Sequence, residues 1–219
     1  MKKTYFLMIA FMLILALKVY AYNDGDFQLW NTDTQDFKVN KYLKAVFEEE
    51  FRWGGNAGEF YYHHYDAGLL YKLNKYWNVG GGYRHVYELS KRKFKLENEP
   101  YVSASVSLTK EAYTLDSRSR LEYRYFDYQA DSWRYRNKFT VKFPLKFTKM
   151  EIQPYAADEI FVKLGNGIAQ FNQNRVSCGF NINLSANFKA EIYYMLVSAK
   201  SSGMWKDTNV LGTKLKLSF

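Results

Sequence analysis

Side chains at fixed spacing point to two kinds of chemistry. The first is nucleophilic. His63, His64 and His85 fall in adjacent strand-like segments, and Ser103, Ser105 and Ser107 repeat at every second residue of the next one. A set such as His64, Ser103 and Asp66 or Glu88 would supply a base, a nucleophile and an acid, the parts of a lipid-modifying acyl hydrolase. It requires a His nitrogen within about 4 Å of a Ser hydroxyl. His63 and His64 are neighbours on a strand, so they point to opposite faces and cannot share a metal ion. The sequence calls for no metal and no cofactor. Cys178 is the only cysteine, and Gly80-Gly81-Gly82 opens no helix, so it is not a phosphate loop. These glycines are read instead as room for a bulge or for a bulky neighbour such as an arginine of the interior.

The second kind is electrostatic. From Leu115 to Tyr125 one parity holds Asp116, Arg118, Arg120, Glu122 and Arg124, and the other is mostly apolar. From Trp133 to Phe143 the residues Arg134, Arg136 and Lys138 alternate with Trp133, Tyr135, Phe139, Val141 and Phe143. Strand side chains alternate faces, so this is a hairpin with one charged face and one greasy face. By the same parity Glu48, Glu50, Arg52, Asp66, Arg84, Glu88, Glu159 and Arg175 fall on the charged face of other segments. An arginine at the middle of a lipid-facing wall costs roughly 2–4 kcal/mol. The charged face is therefore expected to be enclosed. Its charges either pair and plug the interior, or line a narrow water-filled pore that favours small anions.

The elements that hold these faces repeat along the chain. Ten strand-like segments run from 41–53 to 205–219, and a weak eleventh lies at 26–34. Most have 10–14 residues, longer than the usual soluble strand of about five or six. That suits a tilted strand crossing a bilayer, which needs about 9–11 residues. Links at 74–76, 109–112, 146–149 and 185–187 read as short turns; those at 54–59, 90–99, 127–132, 163–170 and 200–204 read as loops. Alternating short and long links are a mark of outer-membrane barrels. Aromatics such as Trp53, Tyr76, Trp77, Trp133, Trp205 and Phe219 gather near segment ends, as interfacial girdles do. The expected fold is all-β: a closed transmembrane antiparallel β-barrel of ten to twelve strands. Segment 26–34 would enter an even antiparallel set from the wrong side: it is either a lead-in lying in the lumen or the periplasm, or a wall strand with a twelfth still unrecognised.

Residues 1–21 have the form of a cleaved signal peptide, with Lys2 and Lys3, an apolar run from Phe6 to Leu17, and a cleavage site after Ala21. Residues 22–219 then form one barrel domain. Net charge falls from +9 to +6 when Lys2, Lys3 and Lys18 leave with the signal. The basic residues alternate with other types and form no patch, so nucleic acid is not an expected partner. The alternation of Leu215, Leu217 and Phe219 is expected to be read by the barrel assembly machinery, and the lipid of the cell outer membrane is the expected surrounding.

Several blocks resemble the DUF2490 family of bacterial outer-membrane proteins. They are Asp26-Phe-Gln-Leu-Trp30, Glu48-Glu-Glu-Phe-Arg52, Gly82-Tyr-Arg84, Arg120-Leu-Glu-Tyr-Arg124, Trp133-Arg-Tyr-Arg-Asn-Lys138 and Gln153-Pro-Tyr-Ala-Ala-Asp-Glu-Ile-Phe161. The resemblance implies a β-barrel in a Gram-negative outer membrane. It transfers no activity, ligand or catalytic residue.

Overall fold

The computed structural model describes residues 24–219 apart from 91, 111–112, 146, 149, 166–167 and 202. The expected signal peptide lies outside the described residues.

Eleven strands close into one barrel. They are β1 (Asp26–Lys38), β2 (Leu43–Gly54), β3 (Glu59–Lys72), β4 (Trp77–Ser90), β5 (Lys93–Lys110) and β6 (Tyr113–Phe126), followed by β7 (Ser132–Lys142), β8 (Gln153–Gly165), β9 (Ile168–Asn183), β10 (Phe188–Ser201) and β11 (Met204–Ser218). Each strand pairs antiparallel with its sequence neighbours, and β1 closes the ring by pairing parallel with β11, from Asp26↔Thr208 to Asp36↔Ser218. Two expectations are corrected here. The barrel is not wholly antiparallel, because an odd number of up-and-down strands leaves the first and last running the same way. Of the two alternatives for residues 26–34 the lead-in falls: they form most of a full wall strand, and no twelfth strand accompanies it among the described residues.

The loops also differ from expectation. Residues 93–99 continue β5 as strand, leaving 91–92 as the link. The widest link is 143–152, where a turn was expected; Phe147 and Ile152 form a bridge within it. Short and long links do not alternate.

Alternation of side chains does hold. On β6 and β7, Arg120, Glu122 and Arg136 are buried, while Tyr125, Trp133 and Phe139 are exposed on the outer wall. Trp77 and Tyr87 mark the two ends of the outer face of β4. Ten residues at ~3.3 Å each, tilted by about 40°, put the two rings some 25 Å apart along the barrel axis, the height of an apolar band.

The β1–β11 seam inverts this rule. Trp30, Met195, Val197 and Val210 form an apolar cluster on its inner side. Outside, Thr213 Oγ1 donates to Asn31 Oδ1 at 2.8 Å, and Asn31 Nδ2 donates to Asp33 Oδ2 at 3.0 Å. Asp33 stands opposite Glu49 of β2 in register, and among the described residues neither makes an ion pair. This explains why β1 was weak in the sequence: neither of its faces is uniformly apolar.

Candidate functional site: the ion-paired interior

All sixteen charged residues expected inside belong to inward-facing positions, but they do different things. The tightest cluster lies toward the end of the barrel where β5 begins. Glu97, Glu99 and Glu122 are 3%, 2% and 0% exposed. Arg124 grips Glu97 through Nε and Nη2 and lies 3.3 Å from Glu99. Arg134 bridges Glu122 and Glu99, reaching the latter at 2.5 Å. Arg136 joins Glu122 at 3.3 Å to Glu159 at 2.7 Å. Arg84 donates to Asp66 at 3.0–3.1 Å and stands 3.7 Å from Glu99. Arg120 reaches Asp66 at 3.4 Å and Glu122 at 3.9 Å. Glu97 takes Arg124 alone, whereas Asp66, Glu99, Glu122 and Glu159 each serve more than one arginine. Such sharing offsets the high cost of desolvating a charge, which a single pair often fails to do.

A bed of small residues makes this tier possible. Gly68 of β3 is in register with Gly82 of β4. A Cβ on either would meet the Tyr101 hydroxyl at 2.7 and 2.5 Å respectively. Tyr101 lies in that notch, donates to Asp66 Oδ1 at 2.6 Å, and carries the Arg120 guanidinium 3.8 Å above its ring. The bulky neighbour that the glycines admit is a tyrosine rather than the arginine that was expected.

A second cluster lies on β1–β3. Arg52 is sandwiched between Trp30 and Tyr62, at 3.6 and 3.8 Å from the ring centres, and donates to Glu50 at 2.6 Å. Thr32 of β1 donates to Glu50 at 2.9 Å, and Lys214 of β11 donates to Glu48 at 2.9 Å. Cation–π stacking and charged hydrogen bonds together fix the guanidinium plane.

Farther along the axis pairing is sparser. Asp116 takes Lys142 at 2.8 Å. Arg118 is 43% exposed at its side chain and lies 3.8 Å from Glu159. Among the described residues Arg175 has no carboxylate within 4 Å; it stacks on Phe161 and Trp30 at 4.6 and 5.0 Å. Lys138 faces the interior without an ion pair among the described residues, and Glu88 sits exposed near a rim. A cavity of about 660 Å³ remains, lined by ten Lys or Arg and eight Asp or Glu side chains.

Sequence reasoning missed Glu97 and Glu99 because the run Lys91-Arg-Lys-Phe-Lys-Leu-Glu-Asn-Glu99 reads as a solvated loop. Its alternation of Lys93, Lys95, Glu97 and Glu99 was the available signal. Lys142, Glu191 and Lys214 also line the interior.

The imagined hydrolytic set is not assembled. His64 is buried, with Tyr62 Oη at 3.1 Å from Nδ1 and Glu48 and Glu50 at 3.6 and 3.9 Å. Asp66 is taken by Arg84, Arg120 and Tyr101. His63 stacks on Tyr87 at 4.7 Å, and His85 contacts Asn98 and Tyr87. Among the described residues no hydrogen bond joins a histidine to a serine.

Fold and interior together define a closed β-barrel held from inside by shared ion pairs. A family model described as protein of unknown function (DUF2490) matches residues 27–208, and the chain belongs to that family. No curated protein and no solved structure matches the chain.

Proposed function

We propose that this chain is an outer-membrane β-barrel whose interior is closed to bulk ionic current by the tier around Glu122. The carrying observation is the contrast between the two surfaces of one sheet. Inside, Glu97, Glu99 and Glu122 are sealed against five arginines; outside, Trp77, Trp133, Phe139, Phe180 and Ile192 are 45–47% or nearly so exposed in an apolar band. Exposed apolar patches of that extent need lipid or a partner to cover them. The shared pairing of the Glu122 tier supports closure, since arginines held by several carboxylates are fixed across the interior. A leader at residues 1–21 and recognition of the Leu215–Leu217–Phe219 face by the assembly machinery belong to the same reading.

Planar-bilayer recording of the purified protein tests it. The expected trace has no stepwise conductance in concentrated potassium chloride. Steady steps with chloride preference would overturn closure and favour a narrow anion path. Arg118, Lys138 and Arg175, with few carboxylates between them, are where such a path would run.

A further inference from the structure

We propose that the barrel end formed by the β1–β2, β3–β4 and β9–β10 turns is a lysine collar that binds the phosphodiester groups of anionic glycerophospholipids. The proposal rests on the membrane reading and adds a ligand class to it.

Two of these turns repeat one motif, Asn40-Lys41-Tyr42 and Asn74-Lys75-Tyr76. In the first, Asn40 Oδ1 accepts from the Tyr42 and Leu43 amides at 2.8 and 3.0 Å. In the second, Asn74 Oδ1 accepts from the Tyr76 and Trp77 amides at 2.8 and 2.9 Å. These side-chain turns replace backbone bonds and fix the tip. Each then lays its lysine over the tyrosine ring, with Nζ 4.8 Å from Tyr42 and 4.7 Å from Tyr76. The two turns are neighbours around the ring: Tyr42 O accepts from the Lys72 amide at 2.7 Å, and the Tyr42 and Tyr71 rings lie 6.1 Å apart. The β9–β10 turn uses Ser185 in the same place, accepting from Phe188 N at 3.1 Å.

Basic side chains predominate at this rim. Lys38, Lys41, Lys72, Lys75, Lys110 and Lys189 are all exposed there, and none has a carboxylate within 4 Å among the described residues. Of the described carboxylates nearby, Asp36 on β1 and Asp116 on β6 are already held by Lys216 at 2.7 Å and Lys142 at 2.8 Å, and Glu151 in the β7–β8 link accepts from the Asn183 side-chain amide at 3.0 Å. The opposite rim mixes signs, with Glu59, Asp127, Asp131 and Asp207 beside its basic residues. A ring of ammonium groups on amphipathic tyrosines suits a leaflet of phosphate headgroups. The collar contains lysine and no arginine among its described residues. Lysine acts as a point charge and does not clamp a phosphate bidentately. That chemistry fits a singly charged phosphodiester better than the phosphomonoesters of a lipid A headgroup.

The test compares the purified full chain in neutral detergent doped with phosphatidylglycerol, phosphatidylcholine or lipid A, counting retained lipid by native mass spectrometry. Wild type should retain phosphatidylglycerol over the other two. Each lysine near an anionic lipid contributes about a five-fold gain, so K41Q/K75Q should weaken phosphatidylglycerol retention by about 25-fold. K95Q/K206Q, on the other rim, should leave it unchanged. Heat-modifiable gel mobility checks that the variants remain folded barrels. Equal retention of the two glycerophospholipids, a preference for lipid A, or no effect of K41Q/K75Q would each overturn the collar. Failure to take up any lipid, with solubility in the absence of detergent, would instead overturn the membrane reading.

Discussion

Glu122→Gln is the most direct perturbation of the interior. Glu122 has no exposed surface and touches three guanidinium groups: Arg134, Arg136 at 3.3 Å and Arg120 at 3.9 Å. Gln keeps the volume and one acceptor but removes the charge. Breaking one partner of a buried pair typically costs 3–5 kcal/mol, because the remaining charge is left uncompensated. The lower end applies here, since each arginine keeps another carboxylate: Glu99 for Arg134 at 2.5 Å, Glu159 for Arg136 at 2.7 Å and Asp66 for Arg120 at 3.4 Å. The expected loss is ~3 kcal/mol. With a urea slope of roughly 3 kcal/mol/M, the unfolding midpoint in detergent micelles moves down by about 1 M. Tryptophan fluorescence reports the transition. Arg134→Gln completes a double-mutant cycle, and the two losses should fall short of additivity by about 1 kcal/mol or more. A loss below ~0.5 kcal/mol for Glu122→Gln would show that water already screens the tier, and the account of a sealed interior would fail.

Other substitutions probe other links. Gly82→Ala drives a methyl into the Tyr101 hydroxyl and into the Ala67 carbonyl oxygen, 2.6 Å away; it should cost about 2 kcal/mol in the same unfolding assay, and a neutral result would contradict the tight notch. Arg52→Lys removes the planar group between Trp30 and Tyr62; a loss of about 1–2 kcal/mol and a changed Trp30 emission are expected, whereas unchanged emission would argue against the sandwich. Asp33→Leu with Glu49→Leu takes two carboxylates that make no ion pair among the described residues off the outer wall. If hydrocarbon covers that wall, stability in micelles should rise by ~2 kcal/mol, and no gain would mean that the seam meets something more polar than lipid.

The alternation of charge and grease was legible in the chain alone, and with it the closed barrel and the inward set. Period two tells which face a side chain takes, because it follows from backbone geometry within one strand. It says nothing about which strand lies opposite or in what register. Asp66 and Arg120, 54 positions apart, meet only because Tyr101 and two facing glycines bring their strands' inner surfaces together. Glu97 and Glu99 read as loop until β5 is seen to continue through them. The parallel seam is the clearest case. Asp33 and Gln35 give β1 a polar outer face, and Thr32 and Thr34 are too small and polar to mark a core, so local pattern offered no reason to place it in the wall. Its place is set by pairing with strands at both ends of the chain, which only the assembled sheet expresses: an open edge leaves a row of unpaired N–H and C=O groups, and β1 pairs with β2 on one side and β11 on the other.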